Sequence, residues 1–178
     1  MRKSISSVVL AIAFFAATTI SFAEEPAKAA ATLIGTKKCA MCHKGAAKGN
    51  IYETWMETGH AKAFTVLGSD KAAEVMKKLN RTGSAQDDAE CLSCHVTNTE
   101  ATFKVDGVSC ESCHGAGSAY SPMKVMKDRP AAIAAGMVDK PKEGCVKCHN
   151  DKSPTYKPFK VDESWAKIAH SSKAVEAK

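Results

Sequence analysis

The sequence repeats one short motif that combines two thiols with an imidazole. Cys-x-x-Cys-His occurs four times and uses all eight cysteines of the chain. Two cysteines at this spacing can form thioethers with the two vinyl groups of one haem, and the next residue, histidine, then ligates the iron. The pattern predicts four haem c groups. The predicted thioether pairs are Cys39 and Cys42, Cys91 and Cys94, Cys110 and Cys113, and Cys145 and Cys148, and the predicted proximal ligands are His43, His95, His114 and His149.

Two other uses of paired cysteines compete with haem attachment. Eight cysteines in a secreted chain are typical of a disulfide framework, and paired Cys-x-x-Cys motifs also build zinc sites. Neither alternative explains why a histidine follows every pair directly. Four of the six histidines in the chain occupy that position, which favours haem.

The number of remaining histidines limits how the four irons can be ligated. A six-coordinate haem iron needs two axial ligands from the protein, and each motif supplies one. Only His60 and His170 lie outside the motifs. At least two axial positions must therefore be filled by another residue type or stay open.

Both spare histidines end amphipathic patterns. Residues 50–64 predict a helix capped by Asn50 that places His60 on an apolar face. Residues 162–170 predict a second helix, with Asp162 as its cap and an ion pair from Glu163 to Lys167, that ends at His170. Because haem ligands are scarce in this chain, we predict that His60 and His170 are distal axial ligands.

Methionine is the usual alternative sixth ligand, and it raises the haem potential relative to two histidines. Met123 and Met126 follow the third motif, where Ser121 and Pro122 predict a helix start. Either methionine could reach a haem, although packing in the protein core is the competing role for each. Met76, on a helix predicted over residues 70–79, is expected in the core.

The first residues have the pattern of a secretory signal peptide. Arg2 and Lys3 precede an apolar run, residues 8–20, that ends in Ser21-Phe22-Ala23. We therefore predict a signal peptide over residues 1–23 and one tetrahaem cytochrome c domain over residues 24–178. No later apolar run is long enough to span a membrane. The expected location is the periplasm or the cell exterior.

Composition suggests a protein core that is too small without a cofactor. The mature part has few aromatic residues and is rich in lysine, alanine and glycine. Four haems would supply apolar macrocycles for short helices to pack around. The formal net charge of +6 falls by two without Arg2 and Lys3, and haem propionates lower it further. Since the lysines are scattered as well, nucleic-acid binding is not expected.

Several segments together resemble the tetrahaem cytochrome c-554 family, and the match spans nearly the whole mature chain. The central Cys-Glu-x-Cys-His-Gly block is its most specific part. The segments that carry the resemblance are Lys37-Lys38-Cys39, Thr58-Gly59-His60-Ala61-Lys62-Ala63, residues 107–115 followed by Gly117, Tyr156-Lys157-Pro158-Phe159, and the helix that ends at His170.

The resemblance implies a mainly α, multihaem cytochrome c fold, with short helices and loops wrapped around four closely packed haems. It implies that His60 is the distal ligand of the fourth haem and that His170 is the distal ligand of the third. It also implies that the second haem, on His95, is five-coordinate. This chain departs from the family after the third motif, where the family has a histidine that ligates the first haem. No histidine lies between His114 and His149, so Met123 or Met126 is expected there instead.

Electron transfer is the function that this reading favours, with four haems passing single electrons between redox partners. The expected partners are cytochromes and quinone-linked or hydroxylamine oxidoreductase-like donors, and the expected state is a monomer or weak oligomer. The alternative is a reductase acting on nitric oxide, nitrite or hydroxylamine at an open haem, although Asp87, Asp88 and Glu90 near the second motif read as loop and capping residues. A third possibility, a conducting filament of many copies, would supply missing ligands between subunits.

Overall fold

The chain forms short helices joined by turns and loops. The structure is a computed structural model that describes residues 30–171, so the predicted signal peptide lies outside the described residues. Within residues 30–171 there is no β-strand. The mainly α fold class expected from the sequence is therefore confirmed.

The longest of these helices has nine residues, and three further turns are of the tighter 3₁₀ type. The α-helices are α1 (Thr36–His43), α2 (Ile51–Glu57), α3 (Ala63–Val66), α4 (Asp70–Lys78), α5 (Ala89–His95), α6 (Ala101–Lys104), α7 (Cys110–His114), α8 (Met123–Met126), α9 (Arg129–Ala134) and α10 (Val161–Ile168). The 3₁₀ helices are Ala46–Lys48, Gly117–Ala119 and Pro141–Lys147.

The helix predicted over residues 50–64 is interrupted. Helix α2 ends at Glu57, where the Thr58 hydroxyl donates to the Trp55 carbonyl at 2.7 Å and Gly59 follows. A hydroxyl bonded to the preceding turn and a glycine both weaken a helix. The Asn50 side chain does not cap the helix either, because Asn50 adopts a left-handed conformation with φ of 53°. His60 therefore lies in a turn.

The last helix also differs from the prediction. Helix α10 spans Val161–Ile168, so Asp162 lies in its first turn and His170 follows its end. Glu163 pairs with Lys160 rather than with Lys167. His170 therefore lies two residues beyond the end of the helix, after Ala169 in extended conformation, rather than on a helical face.

Of the predictions for helices α4 and α8, the first agrees with the structure and the second differs in its capping residue. Helix α4 closely matches its prediction, with Ser69 accepting a hydrogen bond from the amide of Ala72 and Met76 buried in the core. Helix α8 begins at Met123 with Pro122, not Ser121, in the capping position. Proline has no side-chain acceptor, so its fixed φ is what favours this start.

The protein core is small, as the composition predicted. One apolar cluster joins α4 and α5 through Leu67, Met76, Ala85, Leu92 and Val96. Among the described residues, no large side chain is completely buried. A domain of this length normally buries most of its apolar surface, and the haems predicted from the sequence would enlarge this core.

Three of the four segments that carry Cys-x-x-Cys-His motifs pack next to one another. Helix α1, with the first motif, contacts α7, which is the third motif. Helix α7 in turn contacts the 3₁₀ helix Pro141–Lys147, which leads into the fourth motif and also contacts α10. None of the helices within residues 30–171 is long and apolar enough to cross a membrane.

Candidate haem-binding sites

The thiols of different motifs lie side by side. The Cys39 and Cys110 thiols lie close enough to interact electrostatically, and α1 contacts α7, so the first motif lies beside the third. Cys148 interacts electrostatically with Cys94 of the second motif and with Cys113 of the third. Each motif therefore lies beside at least one other, and the third lies beside both the first and the fourth.

The two histidines outside the motifs each face a motif histidine. The rings of His60 and His149 have centroids 6.1 Å apart, and so do the rings of His114 and His170. Two imidazoles on opposite sides of one metal, with nitrogen–metal bonds of about 2 Å, have ring centres roughly 6 Å apart. Both pairs therefore fit two axial ligands that share an iron.

Hydrogen bonds at Nδ1 orient three of the imidazoles. The distance from Nδ1 to a backbone carbonyl oxygen is 2.7 Å for His95 and Ala63, 2.8 Å for His114 and Val138, and 3.0 Å for His170 and Ile168. A carbonyl only accepts, so each Nδ1 carries the proton and each Nε2 keeps its lone pair. This arrangement fixes the tautomer that a histidine uses to ligate a metal.

Burial favours the neutral form of four of the ligand candidates. It lowers the pKa of His60 and of His149, and the nearby His149 lowers that of His60 further. Burial also lowers the pKa of His43 and of His114. Neutral imidazole is the form that binds iron, so the fold prepares these side chains for ligation without a competing proton.

Space for an apolar group lies between the motifs. A cavity of about 480 Å³ is lined by residues from the second, third and fourth motifs, among them Cys94, Ser112 and Cys148. This volume is within the usual range for cofactor pockets. Beside it the Phe159 ring stacks on His149, with centroids 4.2 Å apart, and restricts how that imidazole can turn.

His43 and His95 have no such histidine partner among the described residues, which include all six histidines. Near His95, the acids that could serve catalysis have other roles. Asp88 caps α5 by accepting from the amides of Glu90 and Cys91. Arg81 pairs with both Asp88 and Glu90, while Asp87 pairs with Lys104. The capping role predicted for this cluster is confirmed at Asp88.

Neither of the two methionines considered as ligands is buried. Met123 is 65% exposed, and Met126 is half-buried at the other end of α8. Neither belongs to the apolar core, in contrast to Met76. Tyr120, just before α8, is buried close to Cys39 and Cys110, so the chain enters this segment beside the first motif.

Glu111, inside the third motif, is an important residue that the sequence reasoning did not assign. Its buried carboxylate accepts hydrogen bonds from three backbone amides, those of Ile34, Gly35 and Gly117, at 2.7–3.1 Å. Ile34 and Gly35 directly precede α1. Glu111 therefore ties the first motif to the third, a role that the Cys-Glu-x-Cys-His-Gly block did not indicate.

We expect Glu111→Ala to destabilise the haem-loaded protein by about 3 kcal/mol or more, because an unpartnered buried donor costs about 1–3 kcal/mol and three lose their acceptor. That loss corresponds to a Tm lower by roughly 6–12 °C. Thermal unfolding followed by circular dichroism measures it. Glu74→Ala, at an exposed site on α4, is the matched control and should change Tm little. Equal Tm values for the two variants would contradict the anchoring role.

Comparisons with known proteins agree with this geometry. The family model "Cytochrome c554 and c-prime" matches residues 38–115. Cytochrome c-554 from Nitrosomonas europaea is 33% identical over 128 residues, which is 66% of this chain and 51% of that protein. The chain thus spans about half the length of this relative. No solved structure matches the chain.

The fold and these sites define a c-type cytochrome, a protein that carries haem c and its iron on Cys-x-x-Cys-His motifs. Helical segments, adjacent motifs and paired imidazoles all suit that class. More narrowly, residues 38–115 are similar to the cytochrome c-554 family.

Proposed function

We propose that the protein is a periplasmic electron carrier that holds four haem c groups and passes single electrons between redox partners. The observation that carries the proposal is that the four motifs lie beside one another, together with two imidazole pairs at 6.1 Å. Haem c supplies a one-electron iron couple. The protein's part is to hold such groups close together and to tune them through their axial ligands.

The two imidazole pairs support the axial ligands that we propose for the third and fourth haems. His60 and His149 are the ligands of the fourth haem, and His170 and His114 are those of the third. Because burial keeps several of these imidazoles neutral, no proton has to leave when they ligate. His95 holds the second haem from one side, with its ring oriented by the Ala63 carbonyl.

Counting the haems by ligation tests the proposal. Haem content per chain is measured by pyridine haemochrome absorbance and intact mass, and low-temperature EPR during a redox titration separates high-spin from low-spin haems. We expect four haems, two of them bis-histidine and one high-spin. Fewer than four covalent haems, or failure to exchange electrons with a small cytochrome, would contradict the proposed carrier.

The first haem takes its sixth ligand from α8 in this proposal. Met123 and Met126 are outside the core, and the chain approaches α8 through Tyr120, beside Cys39 and Cys110. A thioether ligand raises the potential of this haem above those of its bis-histidine neighbours.

Leucine substitutions identify that ligand. We expect either Met123→Leu or Met126→Leu to abolish the long-wavelength charge-transfer band of His/Met haem in the oxidised protein and to lower the potential of one haem. Met76→Leu, in the core, is the control and should leave the band unchanged. Persistence of the band in the double variant Met123→Leu/Met126→Leu would exclude both residues, and its absence from the unsubstituted protein would exclude His/Met ligation.

A second candidate function is reduction of nitric oxide, nitrite or hydroxylamine at the second haem. The favouring observation is that His95 faces no second imidazole, in contrast to His114 and His149. Against it, Asp87, Asp88 and Glu90 are engaged in ion pairs and capping, so they are poorly placed to supply protons. Steady-state turnover of these substrates, compared with the rate of electron exchange with a small cytochrome, separates the two functions.

A further inference from the structure

His60 depends on a distant segment for its position. Helix α2 ends at Glu57, so the turn that carries His60 is not fixed by an extended helix. The His60 carbonyl accepts a hydrogen bond from the amide of Val108 at 3.0 Å. Residues 107–109 directly precede the third motif, so this bond joins a proposed ligand of the fourth haem to the backbone beside the third.

The same segment is held from two other sides. Trp55 donates its indole N–H to the Val108 carbonyl at 2.9 Å. The Thr97 amide donates to the Gly107 carbonyl at 2.9 Å, and the Thr97 hydroxyl accepts from the Ser109 amide at 2.7 Å. Thr97 follows the second motif closely. Residues 107–109, with these partners, form a backbone clamp between three haem sites.

Gly107 is the position in this clamp where a side chain has no room. Its φ is +64°, and a Cβ built there would lie 2.6 Å from the His60 carbonyl oxygen and 3.3 Å from the Ala63 amide nitrogen. Real Cβ atoms do not approach a backbone oxygen that closely. Since both groups belong to backbone, an added methyl group can be accommodated only by moving residues 60–63 away from 107–108.

We propose that Gly107 is a positioning residue for the distal histidine His60, acting through the His60 carbonyl and the Val108 amide. The close approach allowed by glycine sets how far the His60 ring reaches towards His149. Ala63 lies in the same stretch, and its carbonyl orients His95, so movement of residues 60–63 also changes the second haem site. This inference rests on the proposed ligation of the fourth haem by His60.

Gly107→Ala in the haem-loaded protein tests the role. We expect a fraction of one further haem to become high-spin in low-temperature EPR, and carbon monoxide binding by the reduced protein to rise above that of the unsubstituted protein. The matched control is Gly83→Ala, because Gly83 has φ of +90° but no atom within 4 Å of a built Cβ. It imposes similar backbone strain without displacing a ligand.

A milder variant keeps the inference testable if Gly107→Ala folds poorly. Trp55→Phe keeps an aromatic ring but removes the indole N–H that holds Val108, and we expect it to raise carbon monoxide binding by a smaller amount. If Gly107→Ala and Gly83→Ala lower Tm equally and both keep the unsubstituted spin count, Gly107 has a structural role only and the inference is wrong.

His60→Ala separates this inference from the function on which it rests. It should convert one haem fully to high-spin. If His60→Ala leaves the spin count unchanged, His60 is not a ligand, and both the ligation and the inference fail. If His60→Ala changes the spin count while Gly107→Ala and Trp55→Phe do not, the ligation stands and only the positioning role of Gly107 fails.

Discussion

The mature chain produced without haem attachment is expected to be largely unfolded, with thiols kept reduced to prevent disulfide formation. Its far-ultraviolet circular dichroism should show little helix, and a protease should cleave it many times faster than the haem-loaded protein. The comparison uses the same chain expressed with and without the cellular haem-attachment machinery. Because both samples share one sequence, any difference reports on the haems.

The reason for this expectation is the small protein core. The described residues bury only short stretches of apolar surface, mainly the cluster around Met76 and Leu92, and no large side chain among them is completely buried. Helices of four to nine residues are too short to be stable alone in water. A haem-free chain with near-native helix content and a cooperative unfolding transition would contradict this account.

Replacing His170 should change the spin state of one haem. His170→Ala removes the ring that lies 6.1 Å from His114, and we expect one low-spin haem to become high-spin in low-temperature EPR. His170→Met should keep the haem low-spin while raising its potential by on the order of 0.1 V, a fraction of the roughly 0.8 V range that axial ligands span.

Lys167→Ala is the control for His170→Ala, because Lys167 is exposed in the last turn of the same helix. It should leave both the spin state and the potentials unchanged. An unaltered EPR spectrum for His170→Ala would show that the ring does not ligate the third haem, however close it lies to His114. The methionine variant also distinguishes ligation from packing, since a methionine that only packed against the haem would leave it high-spin, as in His170→Ala.

Local features of the chain were predictable where the chemistry itself is local. Helix α4 follows from its cap at Ser69 and its apolar spacing, and Asp88 caps α5 as expected. The helix over residues 50–64 was predicted wrongly, because the apolar period continues across Thr58 and Gly59 although the backbone does not. Periodicity reports which face is apolar, and it does not detect a hydroxyl that bonds to the preceding turn.

The role of Glu111 was out of reach for a different reason. An acidic residue between two cysteines gives no local sign of burial, and its three amide partners come from two other segments. Gly107 is similar, since only the approach of the His60 turn makes its lack of a side chain important. Long-range contacts of this kind leave no period or spacing in the sequence.

By itself, the sequence predicts where haem c attaches, because two thiols and an imidazole within five residues are a complete local site. It also predicts that the irons are not all ligated alike, since only His60 and His170 lie outside the motifs. The resemblance implied the pairs His60–His149 and His170–His114, and only the tertiary structure showed these rings 6.1 Å apart. The distance depends on the fold because both spare histidines lie beyond helix ends, where the helical period no longer predicts the direction of a side chain.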